Sequence, residues 1–285
     1  MWLSFIDCIS GTDWGFACQI EQAGQAVIIN DHSNRLDMLE HVDGIYAEMG
    51  DMAAADFSGH GPSGAPVGGL NAHGIGTALA SLGPTVTYIW NHPKSEKQMT
   101  EEFVSRGLMT HLYAGVFPTV PIKNNDHAIG GDCAPSCAYD AYYAAYGPLF
   151  DSIRSRSWVL APHAVVVTSA NALANLFSVP TAADTAAAAA GAAGDKTEYR
   201  AVVALAPQSG TVTLAVAGLD KLSCATPRVE ALSPANQPAA SAKLSPSACP
   251  GGGKCVGMGK ATVTVTFGAG GKVSSSAAVV RIGCW

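Results

Sequence analysis

The sequence predicts an α/β fold followed by an antiparallel β-sandwich, and three observations predict it. Over residues 1–164, short apolar runs rich in β-branched and aromatic residues alternate with longer segments at helical spacing. From residue 165 onward the pattern changes to short β runs, several of them with period-two alternation, separated by Gly, Ser and Pro turns. With 285 residues, 48% of them hydrophobic and 13% charged, the chain can bury one large core or two ordinary ones.

The strands of the first half read as "AVIIN" (26–30), "VDGIYAE" (42–48), "TVTYIW" (85–90) and "HLYAGVF" (111–117), each bounded by Gly, Pro, Asn or Asp. Between and after them "SNRLDMLEH", "SEKQMTEEFVSRGLM" and "YDAYYAAYGPLFDSIRS" fit helical spacing. Ser95 followed by acidic residues suits the positive end of a helix dipole. Strand-helix alternation implies parallel strands joined by right-handed crossovers.

In the second half "YRAVVALA", "GTVTLAVAGL", "KATVTVTFG" and "SAAVVRIG" are the strands of the sandwich, 165–285. The alanine-rich stretch at 181–195 has helix propensity but no apolar stripe to dock, so it reads as an exposed insertion. Four βα units are half of an eight-fold barrel. The first half is therefore expected to be a partial (β/α) TIM-type barrel over 1–164 that lacks its N-terminal strands.

Charge and composition exclude several partners. A formal charge of -6 with no Lys/Arg cluster offers no nucleic acid footprint. No apolar run reaches the roughly 18–20 residues of a membrane helix, so no membrane partner is expected. The start "MWLSFIDCIS" has neither the basic segment nor the cleavage site of a signal peptide. The eight cysteines include Cys133 and Cys137 in "DCAPSC" and Cys249 and Cys255 in "CPGGGKC", both turn-rich. Such loop pairs point to disulfides, and hence to secretion or the lumen of the secretory pathway.

The strings "VDGIYAEMGD", "LYAGVFPTVPIKNNDH" and "YGPLFDSIRSRSWVLAPHAV", with the trailing β-domain, resemble glycoside-hydrolase-like proteins of broadly α-galactosidase type. In that family a (β/α)8 barrel precedes a β-sandwich. The resemblance implies a carbohydrate substrate, and catalytic carboxylates at the carboxyl ends of barrel strands.

Glycosidic hydrolysis needs two carboxyl groups, one protonated toward the leaving oxygen and one ionised, about 5 Å apart in retaining enzymes and roughly 6.5–9.5 Å in inverting ones. Glu48 closes "VDGIYAE", where a glutamate is neither a good turn former nor cheap to bury unpaired. By alternation it shares a face with Tyr46. Asp126 follows the apolar stretch ending in "VPIKNND" and is the second carboxylate. Asp31 and Asp51 are rivals, although Asp31 also fits the cap of the helix that follows and Asp51 a solvated loop.

A sugar site also needs a flat apolar face and planar amides. Trp90 with Asn91, and Asn124 and Asn125 with His127, supply both types, and Asn30 with Asp31 ends the first strand. Trp158 reads as core or interdomain packing. A competing reading takes His32, His92, His127 and His163, beside strand ends, as ligands of a divalent metal in a metal-dependent hydrolase. No HxH or HExxH pair supports it, and neither a metal nor any other cofactor is expected. Walker loops, GxSxG elbows and dinucleotide-binding glycine patterns do not occur; "GGLNAHGIG" fits a flexible loop.

Overall fold

A computed structural model of the chain describes residues 28–30, 44–47, 86–90, 101–115, 117–119, 140–169, 172–181, 198–206, 209–219, 222, 227–246, 259–271 and 276–284. Four short strands, β1 (Ile28–Asn30), β2 (Gly44–Ala47), β3 (Val86–Trp90) and β4 (Phe117–Thr119), form one sheet in that order. All three pairings are parallel. Helix α1 (Glu101–Ala114) connects β3 to β4, as a parallel pair requires. Pro118 lies in β4 without a backbone N–H to donate, which an end strand tolerates.

The barrel expectation is overturned. Among the described residues half are strand and 17% helix, only two helices occur, and most of the structure is antiparallel sheet. Among the described residues the parallel sheet ends at β1 and β4 and does not close. Both α1 and the second helix, α2 (Asp140–Asp151), bury their apolar faces against an antiparallel sheet. Helical spacing shows that a helix has an apolar stripe and is silent about which sheet that stripe covers, so the alternating pattern was read as barrel units.

A second correction concerns 111–117, expected as a strand. His111 to Ala114 form the last turn of α1. Leu108, Met109 and Leu112 stand at i, i+1 and i+4, and all three are buried, so the apolar run continues a helical face. Gly115 then stops the helix in the left-handed region, φ 70°, with its N–H on the Leu112 carbonyl at 3.1 Å. The strand is confined to Phe117–Thr119.

The antiparallel part has two sheets. One has five strands, β10 (Arg228–Leu232), β13 (Ser276–Gly283), β8 (Glu198–Ala206), β7 (Leu173–Pro180) and β5 (Ser157–Trp158), in that spatial order. The other has four, β11 (Ser241–Pro246), β12 (Ala261–Phe267), β9 (Gly210–Val216) and β6 (Val165–Val167). Helices, five-stranded sheet and four-stranded sheet stack as three layers with two cores.

That layering explains two kinds of strand sequence. In β8, Tyr199, Ala201, Val203 and Leu205 join the core under the helices, whereas Val202, Ala204 and Ala206 join the core between the sheets. Strand β13 divides likewise, Ala277 and Val279 against Ala278, Val280 and Ile282. Both faces are buried, so both strands read as near-continuous apolar runs. The four-stranded sheet covers only one core. There Val212, Leu214, Val263, Val265 and Phe267 point inward, and Thr211, Thr213, Thr262, Thr264 and Thr266 alternate with them. Each fully buried Val or Leu contributes roughly 1.5–3 kcal/mol.

Arg200 interrupts the apolar run of β8 at the end of the sheet. Its Nε donates to the Gly218 carbonyl at 3.2 Å and its Nη1 to Ser178 Oγ at 2.8 Å. Residues 181–197, which contain the alanine-rich stretch, connect Pro180 to Glu198, and these two are paired across β7 and β8. Cys284, one residue past β13, is disulfide-bonded. Among the described residues no helix is long and apolar enough to cross a membrane.

Candidate functional site

The carboxyl ends of parallel strands are where open α/β sheets receive ligands, because the loops that follow converge there. In this sheet Asn30 pairs with Tyr46, Tyr46 with Tyr88 and Tyr88 with Phe117. Two residues further along the same strands Trp90 pairs with Thr119. Residues two apart on a strand share a face. Asn30, Tyr46, Tyr88 and Trp90 therefore occupy one face at the carboxyl edge, while Ile29, Ile45, Ala47 and Ile89 occupy the other.

Three of the residues singled out in the sequence, Asn30, Tyr46 and Trp90, are thus placed on one face at one end of one sheet. Tyr88 belongs with them and was missed, although its spacing of two from Trp90 within "TVTYIW" carried the signal. Asp31, Glu48, Asn91, Asp51, Asn124, Asn125, Asp126 and His127 lie outside the described residues. In the chain Asp31, Glu48 and Asn91 each come directly after the last residue of β1, β2 and β3.

The end of α1 lies three residues before the start of β4. The last carbonyls of a helix have no intrahelical partner. Here the Tyr113 carbonyl accepts a hydrogen bond from Asn175 Nδ2 at 2.9 Å, and the Ala114 carbonyl one from Trp158 Nε1 at 3.2 Å. Asn175 is itself oriented by the Leu176 N–H, which donates to its Oδ1 at 2.9 Å. The Trp158 ring meets Phe177 edge-on, centroids 6.2 Å apart. Beneath them lies Arg156, fully buried, its Nε close to the helix end. Burial brings its guanidinium down from the usual arginine range to about 10, still cationic at neutral pH and suited to the negative end of the α1 dipole.

The histidines divide. His32, His92 and His127 lie outside the described residues, and His163 sits exposed in the turn before β6, φ 56°, away from the parallel sheet's strands in sequence. Among the described residues no group of three or more His, Cys, Asp or Glu gathers as a metal site. Compared with protein-family models, curated proteins and solved structures, the chain matches none.

Proposed function

We propose that the protein hydrolyses glycosidic bonds, with Glu48 and Asp126 as its carboxylate pair. The observation that supports this reading is the common face and common edge of Asn30, Tyr46 and Trp90, with Glu48 one residue beyond β2. Indole and phenol rings stack under the apolar face of a pyranose, and amides bond its hydroxyls. Asn30 and Asn91, with Asn124, Asn125 and His127, supply hydrogen-bonding groups, and Asp31 adds an acceptor. One carboxyl group protonates the glycosidic oxygen as the bond breaks; the other, ionised, either attacks the anomeric carbon to give a glycosyl-enzyme that water then hydrolyses, or takes the proton of the water that attacks that carbon. The cysteine content, with Cys284 bonded, supports a secreted or lumenal enzyme.

The test is a panel of p-nitrophenyl glycosides offered to the wild type, Glu48→Gln and Asp126→Asn. Turnover by the wild type and its loss in both variants, with binding kept, supports hydrolysis. Turnover unchanged in either variant removes that residue from the pair.

A second reading, sugar recognition without cleavage, draws on the parallel sheet, whose four strands do not close into a barrel among the described residues and so enclose less of a ligand than a barrel does. Glycan binding by a wild type that turns over no glycoside would favour it.

A further inference from the structure

We infer that Trp158 and Asn175, both in the antiparallel sheet, are positioning residues for the sugar-stacking edge at Trp90; this rests on the reading of that edge as the glycan site. The path between them is short. Asn175 and Trp158 hold the carbonyls of Tyr113 and Ala114, the last two residues of α1. Gly115 follows, and β4 begins two residues later at Phe117. Strand β4 then pairs with β3 at Tyr88, Ile89 and Trp90. A shift of the helix end is therefore passed to Trp90 through one short strand.

Strand β4 is short: it is three residues long, it has one neighbour among the described residues, and Pro118 in its middle has no N–H to donate. The apolar contacts of Leu108, Met109 and Leu112 keep α1 on the sheet, but apolar packing is non-directional. The two hydrogen bonds add direction where the chain leaves the helix. Gly115 removes the remaining freedom: a β-carbon there would stand 2.8 Å from Phe177 Cε1, so the helix end is seated against the ring. Placement of this edge bears on binding, since a stacked ring contributes only where its face meets the apolar face of the sugar.

The experiment compares Trp158→Phe, which keeps an aromatic ring against Phe177 and loses the N–H, with Asn175→Ala and with Leu214→Ala. The last is a control that destabilises the inter-sheet core far from α1 in the layering. Amide exchange is followed by mass spectrometry under conditions where all four proteins are folded. Trp158→Phe and Asn175→Ala should speed exchange across 86–90 and 117–119 about fivefold or more, the scale of one lost hydrogen bond. Leu214→Ala should leave those segments at the wild-type ratio to the rest of the chain. The two clamp variants should also raise KM for whichever p-nitrophenyl glycoside the wild type turns over, with kcat nearly unchanged. Exchange at 86–90 unaltered by both variants overturns the inference. A wild type inert toward every glycoside, with the exchange pattern as expected, instead defeats the sugar reading and leaves the mechanical link standing.

Discussion

Gly115 and Phe177 are in as close contact as a glycine permits: a β-carbon on Gly115 would lie 2.8 Å from Phe177 Cε1 and 2.9 Å from Arg156 Nε. The same glycine has φ 70°, where an L side chain is strained. Gly115→Ala therefore combines a left-handed backbone penalty of about 1–2 kcal/mol with overpacking of about 1–3 kcal/mol. A loss of roughly 2–5 kcal/mol in urea denaturation is expected, and a loss below about 0.5 kcal/mol would show that the helix end yields freely.

Tyr199 ties β8 to the end of α2, its hydroxyl donating to the Ser152 carbonyl while the Arg281 guanidinium lies 4.8 Å from its ring centroid. Tyr199→Phe removes the donor and leaves a carbonyl without it, so a loss of about 1–2 kcal/mol is expected. The phenol also titrates late. Burial raises its pKa above the usual 10.0; Arg281 opposes this and Asp151 adds to it. Burial raises Tyr113 too. A raised acid gives stability that is whole below about pH 10 and lost as pH climbs through the folded value. Absorbance at 295 nm should show one late-titrating phenol fewer in Tyr199→Phe than in the wild type; an equal number in the variant would contradict the assignment.

The layering predicts which valines matter. Val279 and Val280 are adjacent in β13 yet sit in different cores, and neither is exposed. Val→Ala at either position should cost about 2 kcal/mol. In the four-stranded sheet the same change at Val263 should cost as much, while Thr264→Ala, on the outer face, should stay within about 0.5 kcal/mol. Thermal denaturation of the four variants checks this; a Val279 variant as mild as the Thr264 one would mean that the helices do not cover that face.

How much of this was readable in the sequence depended on burial. Alternation of Thr with Val in "GTVTLAV" and "ATVTVTF" records one wet face and one dry face, and such strands are legible. The unbroken runs of β8 and β13 are legible as strands, but the second core that makes them unbroken is not, because nothing local says what covers the other face. The run 111–117 was misread because His111 to Ala114 continue the helical face of Leu108 and Met109. Strand β7 hid its role as well: Asn175 is the polar residue in the middle of "LANLFSVP", which marks a side chain with a partner, yet that partner stands 62 residues upstream. At the parallel edge, strand-end residues were legible as a set, and their register was not.

A partner for the bonded Cys284 is predicted from register and chain separation. Arg228 pairs with Gly283, the neighbour of Cys284, and Cys224 stands four residues before Arg228. Four residues span at most about 14 Å, enough for the roughly 4.4–6.8 Å between bonded Cα positions. Cys249 and Cys255 fall in the connection between β11 and β12 of the other sheet. A non-reducing digest should link the peptides of Cys224 and Cys284, and reduction should lower stability by about 2–4 kcal/mol. Cys284 linked to any other cysteine would contradict the pairing.

The central claim, that the edge carrying Asn30, Tyr46 and Trp90 receives a sugar and that Glu48 acts on it, is tested most directly by one comparison. Binding and turnover of p-nitrophenyl glycosides are measured for the wild type, Glu48→Gln and Trp90→Ala. The expected result is turnover by the wild type, binding without turnover by Glu48→Gln, and binding weakened about tenfold or more by Trp90→Ala, the scale of a lost stacking contact. A wild type that neither binds nor cleaves any of them, or a Trp90→Ala protein that binds as the wild type does, would contradict it.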